Sequence, residues 1–478
     1  MLLKTCEEFD VSPCETRGRF FDNSGRMAST PNELADPDSE INDEAVFSVL
    51  QFGAIVPPLS QWKNVHRLAS GYRYRGTEIV RPVRLPEPHV SALNPDQQAD
   101  EVERVLDSIL RTQIGDQQDP VLLFSGGVDS GVIASRLVAL GYRDSLLINF
   151  SFSENDPESK IAESMADHLG LKFERVFAKK VPCNCLSEPG KLYPQPFGDP
   201  STAPTSDLAN SVVEKLTNQN RLIIDGTGAD GAFGMTAKIN TWRRLNRVPK
   251  FMRKAVSFAY AQSLWHRTGR MEYIARILRR SIDMPLLSAI LALNPLAGTF
   301  YKKDAGGTID DLLSKWVEGW GGESIVSQVV AADLALTCAN TFAQKALPIF
   351  ESAGHKVLYP FLEVEAVSTA LTAIPHWQMD EPKAPLKRSL ARHVPSDMVY
   401  RPKSGFVDPR QSVYFDDQFV EFLRASFEPS GPIAHLLEKK TLLKSCELLA
   451  RKKTLPDQTR KLLWTIVFTD RWYRTAFS

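Results

Sequence analysis

No unbroken apolar run of about 18 residues occurs in the chain, so no uniformly apolar helix is on offer to span a bilayer. The opening stretch, MLLKTCEEFDVSPCETRGRF, has one lysine followed by acids and lacks the apolar core of a secretory leader. Net charge is missing too: 57 basic and 57 acidic residues cancel, which removes any global attraction to nucleic acid or membrane surfaces. Six cysteines in 478 residues make no disulfide framework. Cys183 and Cys185 form a C-x-C, but no second Cys/His pair stands near it to complete a zinc site. Internal repeats and low-complexity tracts are absent as well. These absences predict a reduced, cytoplasmic protein of two or three domains, with no membrane partner.

Residues 1–44 are polar, acidic and turn-rich (DNSGRM, TPNELADPDSE) and read as a poorly ordered segment. Residues 45–94 read as a small folded unit with a short helix, a Pro-Pro turn and a YRYRG–TEIV hairpin. A helix is expected from Pro95 to Ile114, followed by strands near 121, 146–153, 172 and 221–225, with an amphipathic helix over 157–169. Strands alternating with helices predict an α/β unit over 95–240, built on a doubly wound, mostly parallel sheet. Residues 241–478 read as mostly helical.

Two turns carry the chemistry. VLLFSGGVDS (121–130) runs a doubly apolar strand into Ser125, Gly126 and Gly127, then Asp129 and Ser130 at the start of a helix. Paired glycines let backbone N–H groups converge on an anion, and the helix N-terminus adds partial positive charge, so the expected guest is a phosphate or pyrophosphate. DGTGADGAFG (225–234) repeats the arrangement with Gly226, Thr227, Gly228 and Asp230. Two such turns at the carboxyl ends of parallel strands face one crevice. Their aspartates, Asp129 and Asp230, supply the hard oxygen ligands that Mg²⁺ beside phosphates requires. An ordinary N-cap is the plainer role for either aspartate.

SGGVDS resembles the pyrophosphate loop of the N-type ATP pyrophosphatases. Together with PFGDPSTAPT (196–205), the PFL of 360–362, RPKSGF (401–406) and LLWTIVFTDRWYR (462–474), it resembles the synthetase domain of asparagine synthetases and of their relatives, the β-lactam synthetases and lasso-peptide cyclases. Residues 45–94 are similar to the end of that family's amino-terminal glutaminase domain. The resemblance implies an adenine-nucleotide α-hydrolase-like fold and an ATP- and Mg²⁺-dependent reaction. A carboxylate attacks the α-phosphate, pyrophosphate leaves, and an amine displaces AMP to form an amide. It also implies that Lys403, inside RPKSGF, approaches the α-phosphate and the reacting carboxyl.

The chain departs from the family in three places. Leu2 stands where the glutamine-dependent members carry a cysteine nucleophile, so glutamine hydrolysis is not expected. Thr227 replaces the Glu or Tyr of the second loop, and Lys356, Leu358 and Glu363 replace the Glu, Arg and Asp of the family's Gly-x-Glu-x-Arg-x-Pro-Phe-Leu-Asp element. Thr227 and Lys356 are therefore placed in the substrate pocket, with the base of the second half-reaction unassigned. The partner substrates are a small-molecule or peptide carboxylate and an amine, joined between molecules or in a ring closure. A string of basic residues from Arg243 to Arg280 faces a single acid, Glu272; it reads as a solvated helix face or as a dock for an acidic partner. A non-catalytic nucleotide-binding homologue is the alternative function.

Overall fold

The computed structural model describes residues 8–86, 93–115, 120–177, 184–216, 220–262, 278, 282, 285–292, 300, 306–372, 381–401, 415–452, 455 and 457–478. The chain before residue 45 is folded from Glu8 onward, which corrects the expectation of a poorly ordered segment. Strand β1 (Glu8–Val11) pairs antiparallel with β5 (Tyr72–Arg75), and β5 pairs with β6 (Glu78–Pro82) as the expected hairpin. A second small sheet joins β2 (Phe20–Asp22) to β3 (Met27–Ala28) and to β4 (Val65–Arg67). Helix α1 (Asp43–Phe52) starts where the Asn42 side chain accepts the Ala45 N–H and ends at Gly53 in the left-handed region. The polar tract folds because it carries Val11, Cys14, Phe20 and Leu34, all of which are buried in the core.

Helix α2 (Pro95–Ile114) has the expected limits, set by a capping box between Asn94 and Gln97 with Pro95 at the first position. The α/β unit then runs β7 (Val121–Leu123), α3 (Val128–Ala139), β8 (Leu146–Ser151), α4 (Pro157–Leu169) and β9 (Lys172–Phe177), followed by α5 (Thr202–Lys215), β10 (Leu222–Ile224) and α6 (Ala229–Phe233). A fifth strand, β11 (Lys356–Leu358), comes from the region read as helical and pairs in parallel with β10. The sheet order is β11-β10-β7-β8-β9, and every neighbouring pair is parallel. From β7 the chain winds outward through β8 and β9, then returns to the other side of β7 for β10 and β11. The β7–β10 boundary is therefore the topological switch point, where open α/β sheets hold ligands.

Both sheet faces are covered. Val121, Ile148 and Ile223 pack on Val212 of α5 and on Phe350, whereas Leu122, Leu147 and Ile224 join the core that holds Val132 of α3 and Met165 of α4. This alternation explains why the strands read as unbroken apolar runs. Among the described residues one helical stretch, Ile325–Lys345, is long and apolar enough to cross a membrane; 83% of its most apolar 18 residues are buried inside the protein, as in a core helix. It begins as α7 (Ile325–Ala332) and widens into a π-helix over Asp333–Phe342. Side chains of Asn340, Thr341 and Gln344 donate to the carbonyls of Ala335, Leu336 and Ala339, five residues back in each case. The carboxyl-terminal α9 (Asp457–Thr475), preceded by α8 (Ala384–Leu390), packs Trp472 and Tyr473 against Trp62 of the amino-terminal unit, with ring centroids 6.1 and 5.3 Å apart.

Candidate active site

The loop after β7 closes on itself before it can close on a ligand. The Ser125 N–H donates to the Ser130 hydroxyl at 3.2 Å, and the Gly127 N–H donates to the Ser125 hydroxyl at 3.3 Å. Gly126 has φ +67, and a Cβ there would stand 2.7 Å from the Ala162 Cα of α4. Only glycine serves both needs. Gly127 is the residue before α3, so the loop delivers its backbone to a helix N-terminus. Arg401, the first residue of RPKSGF, holds the loop from outside: it donates to the Gly126 carbonyl at 3.2 Å and pairs with Glu158 at 2.8 Å.

The loop after β10 lies against the first one. A Cβ on Gly226 would meet Cβ of Asp129 at 3.3 Å. Gly228, at φ +107, passes so close to Leu362 of the PFL element that a Cβ would come within 2.7 Å of it. Thr227 donates both its N–H and its hydroxyl to Asp225, each at 2.8 Å. Burial pushes the Asp225 carboxyl above its ordinary range despite those bonds.

Between the loops stands a residue to which the sequence analysis gave no role. The Lys383 ammonium lies 2.7 and 2.8 Å from the two oxygens of Asp129 and 2.5 Å from Asp230. Lys383 is buried, has φ +61, and is tied by its N–H to the Phe233 carbonyl just before α8. Burial works to lower its pKa, but the two carboxylates outweigh burial and hold it above the usual lysine value. Nothing local marks Lys383 in KAPLKRSL; tertiary placement alone sets it across the loops.

Asp129 and Asp230 thus reach one cation from two strand ends, which is the geometry a bridging divalent ion asks of carboxylates. Among the described residues no third His, Cys, Asp or Glu joins them, so Mg²⁺ held here would complete its shell with phosphate oxygens and water. Both loops line a cavity of about 1150 Å³. One wall carries Lys345, whose ammonium donates to the Ser201 hydroxyl at 2.6 Å and lies 3.4 Å from Asp199, inside the PFGDPST stretch. Another wall is the π-helix, with Asp333, Thr337 and Cys338 facing the cavity. Burial raises the Asp333 carboxyl above its ordinary range.

Of the residues singled out in the sequence, Ser125, Gly127, Asp129, Ser130, Gly226, Thr227, Gly228 and Asp230 line this cavity. Lys356 does not. It is exposed at the amino end of β11, paired with Leu222, which corrects its placement in the pocket. The reason is register: β11 is parallel to β10, so its first residue lies at the end of the sheet away from the loops. His355 beside it accepts the Arg221 N–H at Nδ1 and is structural. Lys403 lies outside the described residues, as does most of the basic stretch beyond Gln262.

A protein of Mycobacterium bovis and its counterparts in two Mycobacterium tuberculosis strains, each provisionally described as a glutamine-hydrolysing asparagine synthetase, are 25% identical over 474 aligned residues, covering 92% of this chain and 69% of theirs. Among solved structures, the NMN synthetase of Francisella tularensis aligns with 53% of this chain and 96% of its own, at 14% identity and a TM-score of 0.24. The family profile for asparagine synthase matches residues 101–474, from within α2 to the end of α9, and the chain belongs to that family.

Proposed function

We propose that this chain joins a carboxylate to an amine at the expense of ATP, through an acyl-adenylate, and that it does so without hydrolysing glutamine. The observation that carries the reading is the convergence of Asp129 and Asp230 on one cation position, between two glycine loops at the switch point. Backbone N–H groups around Ser125–Gly127 and the α3 terminus would cradle the pyrophosphate. Asp129 and Asp230 would hold Mg²⁺, which when bound spreads the charge that develops on the departing pyrophosphate. Lys383 keeps the two aspartates together and would shift toward phosphate oxygens as they arrive. Lys403, by family resemblance, would neutralise charge on the α-phosphate and the attacking carboxylate.

The absence of a glutaminase step is supported by Cys14, the described cysteine of the amino-terminal unit. Its thiol is buried, and burial pushes its pKa far above the ordinary value, so it offers no thiolate nucleophile. The amine then arrives as such, from a second molecule or from the carboxylate substrate itself in a ring closure. The test is carboxylate-dependent exchange of labelled pyrophosphate into ATP, run over a panel of carboxylic acids beginning with L-aspartate. The parent is expected to exchange with at least one acid, and Asp129→Asn or Asp230→Asn to lower that rate by about 10²-fold or more. Exchange that survives both substitutions would remove the aspartates from the chemistry.

A further inference from the structure

Most acids around the cavity are already matched. Asp129 and Asp230 share Lys383, Asp199 has Lys345 and Ser201, Asp225 takes two bonds from Thr227, and Glu158 is paired with Arg401. Asp333 is different. It is 7% exposed, opens the π-helical segment, and lines the cavity. Its described partners are weak or uncharged: the Thr337 hydroxyl and, at 3.9 Å, the Cys338 thiol. Lys238, which lines the same cavity, attracts it through space, and Asp230 repels it. One of its oxygens rests against Gly231, 2.9 Å from where a Cβ would stand. Asp333 therefore sits directly behind the loop that presents Asp230. A buried carboxylate that no cation touches among the described residues is costly, and a cationic ligand in contact with it would lower that cost.

The cavity also has apolar lining. Met235, Trp242, Ile290, Leu291 and Ala292 line the same cavity and are themselves buried. Free ammonia has no use for such a wall; an ammonium group carried on an apolar body does.

We propose that Asp333 and this wall form the amine subsite, which receives a primary ammonium on an apolar body and holds it beside the acyl carbon. This rests on the adenylation reading for the identity of the acyl group. In the step itself the nitrogen gives one proton to the Asp333 carboxylate. Its freed lone pair forms the C–N bond, and the C–O bond to AMP breaks with its electrons left on the phosphate. The second nitrogen proton passes to solvent.

The first test needs no carboxylate substrate. Protein labelled with ¹³C at the aspartate carboxyls is titrated with methylammonium, isobutylammonium and tetramethylammonium chlorides, the Asp333 signal being assigned by its loss in Asp333→Asn and again in Asp333→Glu. The two primary ammonium ions should shift that signal and tetramethylammonium should not, with isobutylammonium acting at about tenfold lower concentration because of its added apolar area. No shift, or equal shifts from all three salts, overturns the subsite.

The second test compares amide formation from isobutylamine with trapping by hydroxylamine, which is already neutral at pH 7. Asp333→Asn should lower the ratio of amide to hydroxamate by about 10²-fold, as expected for loss of a proton acceptor. An unchanged ratio overturns the role. If no acid supports pyrophosphate exchange while the carboxyl signal still shifts, the adenylation reading fails and the amine subsite stands. If exchange is present and neither effect appears, the subsite fails alone.

Discussion

Gly126 is the residue on which the first loop depends most, because it combines a left-handed φ with a contact that admits no Cβ. Gly126→Ala should cost about 1–3 kcal/mol of stability and weaken ATP binding, seen as a lower denaturant midpoint and a higher Kd. Equal midpoints would mean that the loop relaxes freely. Asp129, Asp230 and the serines of this loop were legible in the sequence, since glycine spacing after an apolar strand is a local signal. Lys383 and Arg401 were not, because each acts on a loop more than 150 residues away in the chain, and only the fold joins them. Lys383→Met should leave Asp129 and Asp230 short of one counter-charge. MgCl₂ should then raise the melting temperature of the variant more than that of the parent. Equal gains would show that the ammonium does not occupy the cation position.

Strands β7, β8, β9 and β10 and helices α2 and α4 could be read from period and capping residues, the last two to their terminal residues. Strand β11 could not: Lys-Val-Leu is no longer than β7 or β10, and unlike them it is not an unbroken apolar run leading into a glycine turn. Strands β1, β2 and β3 are as short, two to four residues each, and their polar turns mask them. The π-helix could not be read either, because a widened turn leaves no mark in apolar composition; side chains bonding five residues back accompany it in the fold. β10 and β11 also carry a pH-dependent link. His355 Nδ1 accepts the Arg221 N–H only while that nitrogen is unprotonated, and burial, then the nearby Arg221 charge, lowers the ring's pKa from its ordinary 6.5. Its contribution is therefore full above pH 6.5 and is lost as pH falls from there toward the folded value. Urea midpoints measured from pH 7 to 5 should fall more steeply for the parent than for His355→Asn, whose amide accepts without titrating. Parallel slopes would assign the acid sensitivity elsewhere.

The last helix packs against the amino-terminal unit. Trp472 stacks edge-on to Tyr473, packs on Trp62 and donates its indole N–H to the Tyr193 carbonyl at 2.8 Å. Trp472→Ala should cost about 3–5 kcal/mol and lower the melting temperature of the whole chain in one transition. Two separated transitions would instead make the amino-terminal unit independent. The fold class and the switch-point crevice were readable because they follow from strand–helix alternation. The amine side of the cavity was not, since α7, its π-helical extension and Trp242 meet only in three dimensions. The most direct measurement follows the α-phosphate. With [α-³²P]ATP, Mg²⁺, an acid that supports exchange and an amine, the label should appear in AMP, in step with pyrophosphate and amide. Label appearing in ADP with release of inorganic phosphate would contradict adenylation.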